Sequence, residues 1–475
     1  MGEKIPLVNI RVFNQHRLSN AAYIAVGVLT LFLFPVLAGL VSVVLPSFHY
    51  MPTIGLSTFG VEPWKALFMT PKLHEMLLLT LSTSIFSTLT SLFLALGIVS
   101  TLWGTPLWVS LQRWLAPVMA VPHVTLAFGI AFILMPSGLL ARLIAPLAGW
   151  ELPPDWQTVN DAYGLSMVLL LVIKEVPFLI FMLLTAIVQI PITSTVRLGS
   201  SLGFQPMVIW LKLIWPQLYP MIRLPVYAVL AFSISVVDIA LILGPSNPPT
   251  FAAQILQWIQ DPDFTHHFMA ASGSLLLLIL VTVSIVGFYL IEILLGNITR
   301  QWLINGYRGQ FSAFWMSFFR ISLKFILSLF VFSVIALIIW SFVWRWRFPS
   351  LWPDWSMRSW SRAWSGLLEP IIDSLVIGAI TSLLATLIAV ILLELINSQR
   401  RRSQLIGRRL TFFASGIMYT PLLLPQMTFL FGVQILLLQF QLEGQLSTVI
   451  AVHLLFVLPY SFLSLSGPWF HYDHR

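Results

Sequence analysis

Ten runs of about 20 or more mostly apolar residues dictate the solvent in which this chain must fold. They lie at roughly 20–45, 76–100, 115–137, 164–189, 221–244, 269–295, 320–343, 373–396, 410–438 and 446–466. Each is long enough to cross about 30 Å of hydrocarbon as a helix. Lipid offers backbone N–H and C=O groups no partners, so the runs must be helices, and they are too long and too uniformly apolar for barrel strands. Composition agrees: 58% of residues are hydrophobic and 9% charged, too few to cover the surface of a soluble domain. The first run is too long for a signal-peptide core and reads as a retained span. The chain has no cysteine, which excludes disulfides and thiolate metal sites. The expected class is an all-α integral membrane protein of about ten transmembrane helices, in contact with lipid.

Charge placement predicts orientation. With the N-terminus and its Lys4, Arg11 and Arg17 in the cytoplasm, about 17 of the 25 Lys and Arg fall on that side, including Arg400, Arg401, Arg402, Arg408 and Arg409. About seven fall outside, among them Arg345, Arg347, Arg358 and Arg362, and Lys174 lies within a span. In such a chain the net charge of +8 sets topology and does not mark nucleic-acid binding.

An internal repeat is visible. Pro122-His-Val-Thr-Leu-Ala-Phe-Gly129 matches Pro425-Gln-Met-Thr-Phe-Leu-Phe-Gly432, with Pro, Thr, Phe and Gly at identical spacing. Thr80-Leu81 matches Ser374-Leu375, and Val176-Pro177-Phe178 matches Leu458-Pro459-Tyr460. An even number of spans in the first part gives both parts one orientation, a parallel repeat about an axis along the membrane normal. The expected organisation is a first repeat over 1–295 with six spans, a cytoplasmic linker over 296–319, and a second repeat over 320–475 with four. Kinked or broken helices at corresponding positions point to a transport pathway, so Pro122, Gly129, Pro425 and Gly432 are pathway candidates.

Between the fourth and fifth spans lies Arg197-Leu-Gly-Ser-Ser-Leu-Gly-Phe-Gln-Pro206, running on to Pro220. Its pattern predicts two short amphipathic helices meeting at a turn at Gly203, with Pro206 just inside the second. Arg197 and Lys212 place it outside the hydrocarbon, on the cytoplasmic side. The stretch resembles the EAA loop of ATP-binding-cassette importer permeases, the MetI-like superfamily. Gly203 sits on that family's Gly, and Pro206, Trp215-Pro216 and Pro220 follow at its spacing. The Glu-Ala-Ala is replaced here by Arg197-Leu198-Gly199. Phe232 to Trp258 also resembles that family's fifth span and the loop after it. Two fused halves are typical of its thiamine and ferric-iron permeases.

The resemblance implies that Arg197, Leu198, Gly199, Gly203, Pro206 and Pro216 belong to a loop docking on a separate homodimeric ATPase. It implies a bacterial inner-membrane location, a periplasmic substrate-binding protein as second partner, and no cofactor on this chain, the partner subunit using ATP. No GxxxxGK[ST] sequence occurs, so the chain does not cradle ATP phosphates by that route. A 6+6-repeat secondary transporter driven by an ion gradient is the alternative, but it has no need of a docking helix. Applied to Arg197, the offset of 282 between Pro177 and Pro459 puts a second such loop at about residue 479, past Arg475. The expectation is a second repeat shortened relative to the family, lacking that loop and its last two spans.

Ionisable residues inside spans are costly and so informative. Glu175 and Asp238 are pathway candidates. Lys174 and Glu175, about 100° apart on one helix, should not pair readily with each other; the alternative role for each is to satisfy a polar group on a neighbouring helix. Glu292 and Glu394 should reach toward the membrane interface. Asp261, Asp263, His266 and His267, like His471, Asp473 and His474, read as solvated segments rather than metal sites. Trp344, Trp346, Trp352, Trp355, Trp360 and Trp364 form an interfacial belt. No nucleophile–base–orienter pattern marks an enzyme.

Overall fold

The computed structural model describes residues 19–52, 55–309 and 313–471. Lys4, Arg11, Arg17, Asp473 and His474 lie outside the described residues, as does the side chain of His471. Nine described helical segments are long and apolar enough to cross a membrane, and a tenth pair is bent by 91°. The chain is an all-α membrane protein.

Helices α1 (Asn20–Ser47), α2 (Glu62–Phe68) and α3 (Leu73–Leu102) open it. The expected third span is not one helix. Helix α4 (Pro106–Ala120) stops, Val121 and Pro122 are extended, and α5 (His123–Leu134) starts afresh before α6 (Leu139–Ala148). The expected ninth span is broken the same way, between α16 (Gln404–Leu423) and α17 (Gln426–Gln439). The cause is local. A proline has no N–H to donate, its ring crowds the carbonyl four residues back, and it drives the preceding residue out of the helical region. Val121 and Leu424 accordingly have ψ of 127° and 141°, and Pro122 and Pro425 become the N-caps of α5 and α17.

Helix α7 (Leu165–Ile187) is followed by α8 (Ile192–Ser201), a turn, α9 (Pro206–Ile209) and α10 (Trp215–Ser235). Two expectations need correction here. The second helix of the loop is not short: α9 runs through a π-helical stretch, Trp210–Ile214, into α10, giving one segment from Pro206 to Ser235. Pro216 has no N–H for the Lys212 carbonyl, and the ladder shifts, with Trp215 N–H reaching the Trp210 carbonyl. The fifth span is also broken, at Val236-Val237, before α11 (Asp238–Leu243). Helices α12 (Phe251–Ile259), α13 (Phe264–Ile304) and α14 (Ala313–Ser341) follow, so helix invades the expected 296–319 linker from both sides. The strands β1 (Val343–Arg345) and β2 (Asp354–Trp355) pair antiparallel ahead of α15 (Arg358–Arg402); α18 (Leu446–His471) comes last.

The two bundles exchange their first helices. Ala22, Ala25, Leu29, Phe32 and Val36 of α1 are buried against α15, α16, α17 and α18. Phe319 and Ile326 of α14 are buried in the core built from α3, α4, α5, α7 and α10. Both exchanges depend on a missing side chain. A Cβ on Gly129 of α5 would run into the Ser333 carbonyl of α14, and one on Gly432 of α17 into the Gly39 carbonyl of α1.

The loops sort to two sides as the span count requires. On one side Ser19 N–H donates to Gln399 Oε1, Arg400 stacks on Phe470, and Lys212 meets Asn305. On the other, Lys72 meets Asn247, and Arg142 of α6 meets the segment carrying β1. Arg142 is 2% exposed and has no acidic partner among the described residues. Its guanidinium donates to the carbonyls of Ser137, Trp346, Arg347 and Ser350 and lies over the Trp346 ring.

Candidate functional site

The two proline breaks flank a cavity of about 430 Å³ between the bundles. Met119 and His123, at the first break, face it from one side; Leu422, Leu424 and Gln426, at the second, face it from the other. Lys174, Glu175 and Phe178 of α7 line it opposite Phe456 and Tyr460 of α18. The sequence repeat pairs Phe178 with Tyr460, and their rings meet edge to face, centroids 6.4 Å apart. Phe232 of α10 packs beside His123 at 5.1 Å.

The ionisable pair inside the fourth span divides its work. The break at Pro122 strips the last turn of α4 of N–H donors for its carbonyls. Lys174 supplies them: its Nζ lies 3.3 Å from the Val118 and Met119 oxygens and 2.7 Å from that of Val121. A cation at a helix C-terminus is also favoured by the helix dipole. Lys174 therefore satisfies a neighbouring helix, the structural role weighed for it. Lys174→Met should cost about 2–3 kcal/mol, since three buried carbonyls lose their donor. A melt of the purified protein in detergent checks this, and an unchanged midpoint would rule the capping role out.

Glu175 is 6% exposed, lines the cavity, and makes no hydrogen bond or ion pair with a described residue. The two residues form no ion pair with each other, as their angular separation on the helix requires. Asp238 stands apart. It is half-buried in the first turn of α11 and does not line the cavity. Gly129 and Gly432 do not line it either; they seat α14 and α1. Pro122 and Pro425 shape it by ending α4 and α16.

The loop after α7 is compact. Gly203 has φ of +79°, which a residue with a side chain rarely adopts, and it turns the chain between α8 and α9. Gly199 is buried where a Cβ would come within 2.8 Å of Ile209, so α8 packs closely on α9. Pro206 takes the first helical turn of α9, and Pro216 that of α10. Arg197, Leu198 and Leu202 are exposed on α8. Lys212 is buried. It donates to the backbone and side-chain oxygens of Asn305, at 2.8 and 2.6 Å, and sits over Trp302. Gln205 N–H donates to the Arg308 carbonyl, so the chain leaving α13 is fastened to the loop.

Asp263 caps α13 through Thr265 N–H, and Asp261 takes Asp263 N–H and pairs with His266. These backbone bonds, first of all, hold both carboxyls below their usual range. Among the described residues no three His, Asp or Glu could hold a metal ion. Glu394 pairs with Arg401. Glu292 of α13 is not a free interfacial group: it accepts from Tyr219 and Tyr227 and pairs with Arg223, all on one face of α10. Trp344, Trp352, Trp355, Trp360 and Trp364 are exposed, while Trp346 covers Arg142. Sequence reasoning missed Arg142, His123, Gln426 and Arg223. The second and third stand directly after the repeat prolines, a signal that could have found them.

No protein-family model matches the chain. It is similar to the inner membrane ABC transporter permease protein YnjC of Escherichia coli (strain K12), 31% identical over 251 residues. That match covers 51% of this chain and 47% of the relative. The chain thus spans about half the length of the curated relative it matches. Together, that likeness and the candidate spans support a multi-pass protein of a bacterial inner membrane.

Proposed function

We propose that this chain is the membrane-embedded permease subunit of an ATP-binding-cassette importer, and that the α8–α9 loop is its docking surface for a separate ATPase. The observation carrying this is the loop itself. Gly199 and Gly203 hold a compact helix pair packed on the first bundle, with Arg197, Leu198 and Leu202 turned to solvent. Lys212 and Gln205 fasten that pair to the chain leaving α13, so a push on the loop reaches the connection between the bundles. The bundles, 1–295 and 320–475, act as two repeats that rock about the cavity, with broken helices at equivalent positions. Closure of a homodimeric ATPase on ATP supplies the motion, and a periplasmic binding protein delivers substrate on the opposite face. The chain itself holds no cofactor and performs no catalysis. Similarity to an ABC transporter permease supports this reading.

Co-expression with the ATPase subunit tests it. A stable complex should form with the wild-type chain and be lost, by at least about tenfold in recovered ATPase, when Leu198 and Leu202 are both changed to Asp, because two charges then face an apolar cleft. If the double variant retains the ATPase fully, the docking assignment is wrong. Transport that follows an ion gradient without any ATPase would favour a secondary transporter.

A further inference from the structure

We propose that the arginine pocket where α15, α16 and α18 meet is a binding site for an anionic phospholipid, its phosphate held by Arg400 and Arg408 and an acyl chain lying over Phe412 and Phe413. The sequence concentrates charge there: from Glu394 to Arg409 it carries five arginines and one acidic residue. The fold turns that run into a concavity. A Cβ on Gly407 would strike the Arg400 backbone, so the chain turns tightly between α15 and α16. Arg400 and Arg408 thereby line one cavity of about 240 Å³, together with Asn397, Gln404 and Phe470. Arg400 is half-buried, and its guanidinium carbon lies 4.2 Å from the centroid of the Phe470 ring, which holds it in place. The acidic residue is engaged at the rim, Glu394 with Arg401 at 2.7 Å. With that pair neutral, the cavity keeps the charge of Arg400 and Arg408, and no described carboxylate pairs with either. Asn397 Nδ2 is buried with no acceptor among the described residues. Two cations and an unmatched donor thus share one small polar cavity. A phosphate group completes such a set, because its oxygens accept from guanidinium forks two at a time.

The adjoining surface assigns that phosphate to a lipid. Phe412 and Phe413 follow Arg408 and Arg409 by one helical turn on α16, and these four residues line a second groove that shares Arg408 with the first. Both rings are exposed, Phe412 by 77% and Phe413 by 62%. Helix α16 runs from the charged turn into a candidate span, so the rings stand at the depth of acyl chains and the arginines at that of headgroups. A free phosphate would use the first groove alone. A zwitterionic lipid brings an ammonium of its own to a site already positive. The occupant would touch α15 through Arg400, α16 through Arg408 and α18 through Phe470, and so clamp one end of the second bundle. Helix α1 joins the bundle at that same end, Ser19 N–H donating to Gln399. The site lies apart from the cavity between the bundles and stands whether or not the chain binds an ATPase.

Native mass spectrometry of the delipidated full chain, titrated with dioleoylphosphatidylglycerol and separately with dioleoylphosphatidylcholine, tests this. The first phosphatidylglycerol should bind about tenfold tighter, or more, than the first phosphatidylcholine. Arg400→Gln with Arg408→Gln should abolish that preference, and Phe412→Ala with Phe413→Ala should weaken binding of both lipids about threefold. Arg345→Gln with Arg362→Gln, which removes the same charge from the opposite side of the membrane, should leave the preference intact. Excess ammonium phosphate should not displace the lipid. Equal affinity for the two lipids, an equal loss in the Arg345 and Arg362 control, or displacement by phosphate overturns the proposal. Should the Arg400 and Arg408 double variant fail to fold, Arg408→Gln alone decides it: its side chain is exposed, and the preference for phosphatidylglycerol must fall. A double variant that keeps wild-type lipid binding but loses a co-expressed ATPase would make the patch a protein contact and sink the lipid assignment.

Discussion

Arg142→Met is expected to destabilise the protein by about 3–5 kcal/mol, the range found when one partner of a buried charged network is removed. Four carbonyls accept from this guanidinium: Ser137 at 2.9 Å, Trp346 at 2.8 Å, Arg347 at 2.9 Å and Ser350 at 2.8 Å. Three of the four belong to the segment that carries β1 and leads from α14 to α15. Methionine fills part of the volume but donates nothing, so the Ser137 and Trp346 carbonyls would lose their donor, and those of Arg347 and Ser350 would keep only Ser350 N–H and Trp346 Nε1. Lysine is a poor substitute. It is a point charge with three donors, whereas the planar fork of arginine reaches acceptors on two sides and stacks on Trp346. Chemical or thermal unfolding in detergent should therefore rank wild type above Arg142→Lys, and Arg142→Lys above Arg142→Met. Hydrogen exchange should show the amides of 343–352 losing protection in both variants. Equal unfolding midpoints for all three proteins would mean that the segment is held by other contacts.

The contrast between Arg142 and Pro122 shows what such a sequence reveals. Spans were legible because lipid leaves the backbone one economical solution, and apolar length reports it directly. The proline repeat was legible because a proline acts on its own helix. Pro122 and Pro425 sit at the same kind of break, as their matched spacing predicts. What hydropathy hid was the break itself: Val121-Pro122 and Leu424-Pro425 are apolar, so a window passes over them as continuous span. Gly203 and Pro206 were readable for the same local reason, while the length of the helix beyond them was not, since a π-helical stretch carries the chain across Pro216 without ending the helix.

Arg142 and Lys212 were not legible in role, and the partners of Lys174 were not legible either. Each cation is matched by backbone carbonyls, and every residue has one of those. No side-chain pattern could single out the partners. Glu175 was found because a carboxylate inside a span is conspicuous whatever surrounds it. Asp238 was conspicuous for the same reason, yet it stands in the first turn of its own short helix, away from the cavity. The difference between them is three-dimensional: one helix faces the cavity at that residue and the other does not.

Gly432→Val should destabilise the protein by about 3 kcal/mol or more, above the usual cost of overpacking, because what its side chain would strike is backbone rather than a movable side chain. The Gly39 carbonyl of α1 lies where the new Cβ would be, and Val43 is 3.0 Å from that position. Gly129→Val should behave alike, its Cβ meeting the Ser333 carbonyl of α14. These glycines hold the same place in the sequence repeat and do the same job in the fold. Each lets the first helix of one bundle lie close against the other bundle, the use to which small residues are put at helix crossings in lipid. Each substitution should therefore loosen the seam between bundles and leave the core within a bundle intact. Gly378→Ala and Gly416→Ala are the controls, since a Cβ at either meets nothing within 4 Å. Alanine there should be neutral or slightly stabilising, because glycine costs a helix conformational entropy. Limited proteolysis of the Gly432→Val protein should free α1 before the other spans. If Gly432→Val and Gly378→Ala melt together, or if proteolysis opens the core within a bundle first, the exchanged first helices do not hold the bundles together.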